Sequence, residues 1–255
     1  MIPIRDSVPR RHPPLMIWTL IAVNGLVFWI ELGLSERQVE ALFYQFGLVP
    51  ARYSHPEWAV WVGLAFDDYW PFVTSMFLHG GWLHLIGNMW TLWIFGDNVE
   101  DRMGPGRFLA FYLLCGLAAG GVHWFTHADS TMPTVGASGA IAGVLAAYFC
   151  LFPRAQIITV IPILFYPLFY SLPAILFALV WIVTQVFSGF ASLVAPGAGG
   201  GVAWWAHIGG FTAGLLLHRV FLNPSRGRRF FADEFDDATA WLSRLDAGPG
   251  RVPWT

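Results

Sequence analysis

The chain has 255 residues, of which 56% are hydrophobic and 12% charged, with a mean hydropathy of +0.56. That is about half the charge of an ordinary soluble domain, so the composition points to a membrane protein, and the length suits one compact bundle of about six spans better than two domains. A formal charge of −2 gives no electrostatic reason to expect nucleic acid as a partner.

The N-terminal residues 1–14 are polar and lack a small-residue cleavage site, so a retained first span is expected from about Leu15 to Gly33. Asn24 is its one strongly polar side chain near the middle. The connection Leu34–Tyr69 is long, and its apolar stretch Pro56–Phe66 is too short to cross, which suits an interfacial or re-entrant segment. Span 2 is expected over about Trp70–Phe95, followed by the charged, Gly-rich loop Gly96–Gly106, and span 3 over about Arg107–Phe125. Span 4, Ala137–Phe152, is short: about 24 Å of helix against about 30 Å of hydrocarbon.

Prolines 162, 167 and 173 interrupt the apolar run Ile157–Phe190. They suggest a membrane-hugging connection and then span 5 from about Leu172 to Phe187. The Gly/Pro-rich stretch Ser188–Val202 reads as a loop placed to act as a lid, and span 6 covers Ala203–Leu222. In the tail, 223–255, the residues Phe231, Phe235, Ala238, Trp241, Leu242 and Leu245 have helical spacing and suggest a short amphipathic helix. Cys115 and Cys150 fall within apolar runs and read as small core residues, not as a disulfide.

Every Lys/Arg-type cation is arginine. Twelve of them flank one set of span ends, and only Arg37 and Arg52 fall on the other side. The positive-inside rule then predicts cytoplasmic N- and C-termini and an exoplasmic first loop.

Depth singles out a few polar residues. On the helical rise, Ser138 lies about 24 Å above Arg154, His207 about 24 Å above Asn223, and His84 about 20 Å above Asp97. His84 and Asn88, four residues apart, share a helix face. Alone, Ser138 after glycine reads as a helix cap, and an intramembrane His or Asn as an interhelical strut. Coincidence of depth favours function, because polar groups in lipid are costly. His123, His127 and His218 sit near span ends and read as interface or strut residues.

These residues stand in His79-x4-His84-x3-Asn88, Gly136-Ala137-Ser138-Gly139 and Ala206-His207-Ile208-Gly209-Gly210 with Gly214. With those motifs, from about Asp68 to Phe221, the chain resembles the rhomboid family of intramembrane serine proteases. The resemblance implies an all-α, six-transmembrane-helix bundle with both termini cytoplasmic and a short fourth helix bearing the nucleophile. It implies that Ser138 is the nucleophile, His207 its general base, His84, Asn88 and the Ser138 N–H the oxyanion site, and His79 a brace for the first loop. Gly210 and Gly214, with Gly139 and Gly143 opposite, match the small-x3-small pattern that lets helices approach.

No carboxylate occurs in the apolar parts of spans 2, 4 or 6, so a dyad is expected, positioned by packing. The chain has Trp70-Pro71 where many family members have Trp-Arg, which removes that arginine as a loop anchor. It has Ala142 where some carry a tyrosine stacked on the histidine, leaving Trp204 or Trp205 to hold His207.

The expected partners are transmembrane protein substrates and membrane lipids, with no cofactor and no metal. The setting is a multi-pass protein of a bacterial inner membrane. His-Glu-x-x-His of zinc proteases is absent, and Gly-x-Ser-x-Gly is not met because position 140 is alanine. The competing reading is a rhomboid-like scaffold that binds transmembrane helices without cutting them. A small transporter is a third, disfavoured by the lack of an inverted repeat.

Overall fold

A computed structural model describes residues 2–163, 166–194 and 203–226. In chain order, strand β1 (Ile2–Asp6) leads into α1 (Leu15–Leu32), and the first loop carries α2 (Glu36–Phe46), α3 (Ala51–Ser54) and α4 (Pro56–Trp61). A single turn, α5 (Pro71–Thr74), precedes α6 (Trp82–Met103), α7 (Pro105–Thr126) and α8 (Ser138–Leu151). Strands β2 (Gln156–Ile163) and β3 (Tyr166–Pro173) are followed by α9 (Ala174–Val194) and α10 (Trp204–Phe221). Among the described residues, three stretches could cross a membrane by length and composition: Leu15–Leu32, Pro105–Thr126 and Ala174–Ala191. Leu83, Phe125, Trp29 and Leu216 are among the most exposed side chains, an apolar exterior suited to lipid.

Helix α8 is the axis of the bundle. Its sequence is apolar all round, and every residue from Gly139 to Phe149 is buried, as expected of a helix enclosed by its neighbours. It packs against α6, α7, α9 and α10. Contact with α10 is backbone to backbone: a Cβ at Gly210 would overlap the Gly139 carbonyl, and one at Gly214 would strike the Gly143 backbone. On the other flank, a Cβ at Gly139 or Gly143 would run into Ala119 or Cys115 of α7. The small-residue pattern thus sets how closely three helices approach.

Several expected boundaries move. The segment read as the start of span 2 breaks at Leu78, which turns extended, and at Gly80-Gly81, so α6 begins at Trp82. At its far end α6 continues to Met103 through residues expected in a loop, because their side chains find partners. Glu100 accepts from the Met16 and Ile17 N–H groups at 3.0 and 2.9 Å and so caps α1, whose own N-cap residue Pro14 offers no side-chain bond. Asp101 accepts from the backbone N–H of Arg11 and His12.

The largest departure from an all-helical chain is a three-stranded antiparallel sheet in the order β1-β2-β3. It occupies the stretch read as a membrane-hugging connection and recruits the N-terminal segment, with Ile2 opposite Val160 and Asp6 opposite Ile157. The β-branched run Ile157-Ile158-Thr159-Val160 favours a strand, and the prolines are accommodated near the hairpin end, Pro162 facing Pro167. Asp6 accepts hydrogen bonds from the Tyr148 hydroxyl at 2.6 Å and from Asn98 at 2.8 Å. Burial pushes its carboxyl up to about 8, against the opposing effect of the Tyr148 donor.

The first loop does have an arginine anchor, supplied by Arg52. Its side chain is fully buried and donates to Ala65 O (2.7 Å), Gln45 O (3.0 Å) and Asp68 (3.1 Å), folding the loop around one guanidinium. Helix α9 extends to Val194, so the first seven residues of the expected lid are helical; the remainder lies outside the described residues. So does the expected amphipathic helix of the tail. Cys115 is buried, whereas Cys150 is exposed and not the core residue expected.

Candidate active site

Ser138 is the first residue of α8, and its Oγ lies 2.8 Å from His207 Nε2 on α10. The approach follows from the glycine contacts one turn further on, which bring the two backbones together. The first N–H groups of any α-helix have no intrahelical partner, so the Ser138 end of α8 presents unused donors and the positive end of the helix dipole. The preceding residue but one, Gly136, has φ +122°, a conformation costly for any residue with a side chain. Its N–H donates to Ser75 O at 2.8 Å, and the His84 ring packs where a Cβ would stand. Glycine is therefore required twice at this position, for the turn and for the imidazole.

A cavity of about 640 Å³ opens beside these groups, lined by Ser138, His207, His84, Asn88, Gly136 and His123 among others. His84 and Asn88 face it from α6. Asn88 Nδ2 also donates to His79 Nε2 at 3.0 Å, and the His79 and His84 rings meet edge to face at 5.1 Å. His79 is buried, and its backbone N–H donates to Glu31 of α1 at 3.3 Å. Its contacts therefore run to α1 and α6, while the first loop is braced by Arg52. His123, read as a strut, does bond Thr134 at 2.8 Å, but it also lines the cavity. The three polar residues expected at one depth thus meet around one space.

The match to known families decides the classification. Residues 67–224 match the rhomboid domain, well over half of the chain. The chain belongs to the rhomboid family. This rhomboid is 32% identical over 142 residues to rhomboid protease GluP of Bacillus subtilis, covering 55% of this chain and 25% of GluP. It is 26% identical over 179 residues to rhomboid protease GlpG of Salmonella paratyphi A, covering 67% of this chain and 56% of that protein. Against RHOMBOID-like protein 5 of Arabidopsis thaliana the identity is 32% over 154 residues, 60% of this chain and 44% of the relative. The matched region is thus about a quarter to just over a half of these relatives' length.

The sequence reading missed the group that holds the histidine in this rhomboid. Trp181 lies 6.1 Å from the His207 ring and Trp204 stands edge-on at 6.2 Å, whereas Trp205 packs on Phe190. The polar contact comes from α9: Gln185 Oε1 is 2.7 Å from His207 Nδ1. The signal was present, since Thr184-Gln185 is the only amide-bearing interruption of an otherwise apolar span. No group of His, Cys, Asp or Glu among the described residues is arranged to hold a metal ion.

Proposed function

We propose that this rhomboid is an intramembrane serine endopeptidase that cuts transmembrane segments with a Ser138–His207 pair. The 2.8 Å contact between Ser138 Oγ and His207 Nε2 at the wall of a cavity is the observation that carries the reading. Serine hydroxyl is a weak nucleophile, and imidazole can take its proton near neutral pH. As Oγ attacks the scissile carbonyl, His207 Nε2 receives that proton and then gives it to the leaving amine. Water, activated by the same nitrogen, hydrolyses the acyl-enzyme. The carbonyl oxygen becomes an oxyanion beside His84, Asn88 and the Ser138 N–H. Donors fixed there in a low-dielectric site stabilise it, each worth about 3–4 kcal/mol by comparison with other serine enzymes.

The reading includes six spans with both termini in the cytoplasm: α1, α6, α7, α8, α9 and α10. The first loop and the cavity then face outward, and the strands and carboxylates face the cytoplasm. A substrate must present an extended backbone, because a helix hides its carbonyls. Small or helix-breaking residues near the outer end of a transmembrane segment therefore suit it, and replacing them with leucine abolishes cutting.

The test is cleavage of a model transmembrane substrate by the purified protein beside folded Ser138→Ala and His207→Ala variants. Both lose activity by roughly a thousandfold or more. A fluorophosphonate probe labels the unaltered protein and leaves Ser138→Ala unlabelled. Full activity in either variant refutes the assignment. Absence of both product and labelling turns the reading to a helix-binding scaffold.

A further inference from the structure

We infer that Gln185 of α9 is a positioning residue that fixes the tautomer of His207 through its amide oxygen, completing a Ser138–His207–Gln185 triad. The inference rests on the proposed proteolytic reading for its catalytic consequence, although the hydrogen-bond logic stands without it.

An imidazole can serve Ser138 as a base only if Nε2 carries a lone pair, which puts the neutral ring's proton on Nδ1. Nδ1–H then needs an acceptor. Gln185 is buried, and its Oε1 is 2.7 Å from Nδ1. An amide, however, can turn either end towards a neighbour, and the NH₂ end would enforce the wrong tautomer.

The next two bonds settle which end it is. Thr184 Oγ1 lies 2.6 Å from Trp181 O, and a carbonyl oxygen only accepts, so the single Thr184 hydroxyl proton is committed there. Gln185 Nε2, 3.2 Å from Thr184 Oγ1, must therefore be the donor in that contact. This leaves Oε1 for His207. The chain runs in one sense only: Ser138 O–H to His207 Nε2, His207 Nδ1–H to Gln185 Oε1, Gln185 Nε2–H to Thr184 Oγ1, and Thr184 O–H to Trp181 O.

A backbone carbonyl on α9 thus dictates the protonation of a side chain on α10. The cost of a charged orienting group buried among apolar helices is avoided, because each member of the chain is neutral before reaction. The amide oxygen also accepts the Nδ1–H of the imidazolium that forms when Ser138 gives up its proton.

The experiment has two arms on the 255-residue chain in detergent. Steady-state cleavage of a transmembrane substrate compares the unaltered enzyme with Gln185→Leu and Gln185→Glu. Gln185→Leu lowers kcat roughly 10- to 100-fold with KM changed less than about twofold, and Gln185→Glu, which keeps an acceptor, recovers activity to within about threefold. The second arm reads the His207 tautomer by ¹⁵N NMR, its signal identified by its loss in His207→Ala. It shows Nδ1–H in the unaltered protein and a mixture in Gln185→Leu. An unchanged tautomer in Gln185→Leu overturns the inference, as does a Gln185→Glu variant as slow as Gln185→Leu, since packing alone would explain that. If the unaltered protein neither cleaves nor labels at Ser138, the proteolytic reading fails while the NMR arm still decides the role of Gln185.

Discussion

The two ends of α8 solve the same problem, polar groups among apolar helices, with different chemistry. At the Ser138 end Ser138, His207 and Gln185 are joined side chain to side chain, and His84 and Asn88 line the same cavity as Ser138 and His207. At the Tyr148 end, about 15 Å away along the helix, they are the carboxyls of Asp6, Glu100 and Asp101, bonded to a hydroxyl, an amide and backbone N–H groups. The first set leaves space beside it and can exchange protons. The second ties the N-terminal strand and the start of α1 to the ends of α6 and α8.

The contrast can be broken most severely at the glycine contact that serves the Ser138 end. Gly210→Leu places a side chain where the Gly139 carbonyl stands, and no rotamer can relieve a clash with backbone. We expect a loss of roughly 1–3 kcal/mol or more of stability, measured by thermal unfolding in detergent, together with loss of cleavage as α10 moves from α8. Gly210→Leu with native stability and native activity would mean that the two helices are not in backbone contact.

At the Tyr148 end, Glu100→Ala removes the acceptor of the Met16 and Ile17 amides and should cost about 0.5–2 kcal/mol, the range for a lost helix cap. If the ends are separable, kcat of the folded variant stays within about threefold of the parent; a larger fall would couple the two ends.

A further effect is a pH slope. Native Asp6 keeps its proton up to about pH 8, while an unfolded aspartate releases it near 4. Between those values the native state binds more protons, so this group's contribution to stability is complete below about pH 4 and lost as the pH rises through about 8. Thermal unfolding at pH 5 and pH 8 should therefore show a smaller drop in Asp6→Asn than in the parent. An equal drop in both would place the slope elsewhere.

Hydropathy alone located α1, α7, α8 and α10 to within two residues, because long apolar runs with polar stops have one reading in lipid. The motif residues were also legible, since their types and spacing are local properties of the chain. What could not be read were partnerships between distant segments. Arg52 counted in the sequence only as one of two arginines on the exoplasmic side; its partners, the loop carbonyls of Gln45 and Ala65, lie elsewhere along the chain. Residues 97–103 looked like loop because charges usually end a span; they stay helical because the N-terminal segment satisfies them. The proline-broken run looked like a membrane-hugging connection, and only pairing with Ile2–Asp6 and its own hairpin makes it a sheet.

The sequence by itself determined the membrane character, most of the helices and the residues around the cavity, because hydropathy and local spacing depend only on neighbours along the chain. Tertiary structure alone decided the partners: Gln185 for His207, Glu100 for the start of α1, Arg52 for its loop. A hydrogen bond depends on angles and a few tenths of an ångström, and between segments far apart in sequence only the packing of the helices supplies those.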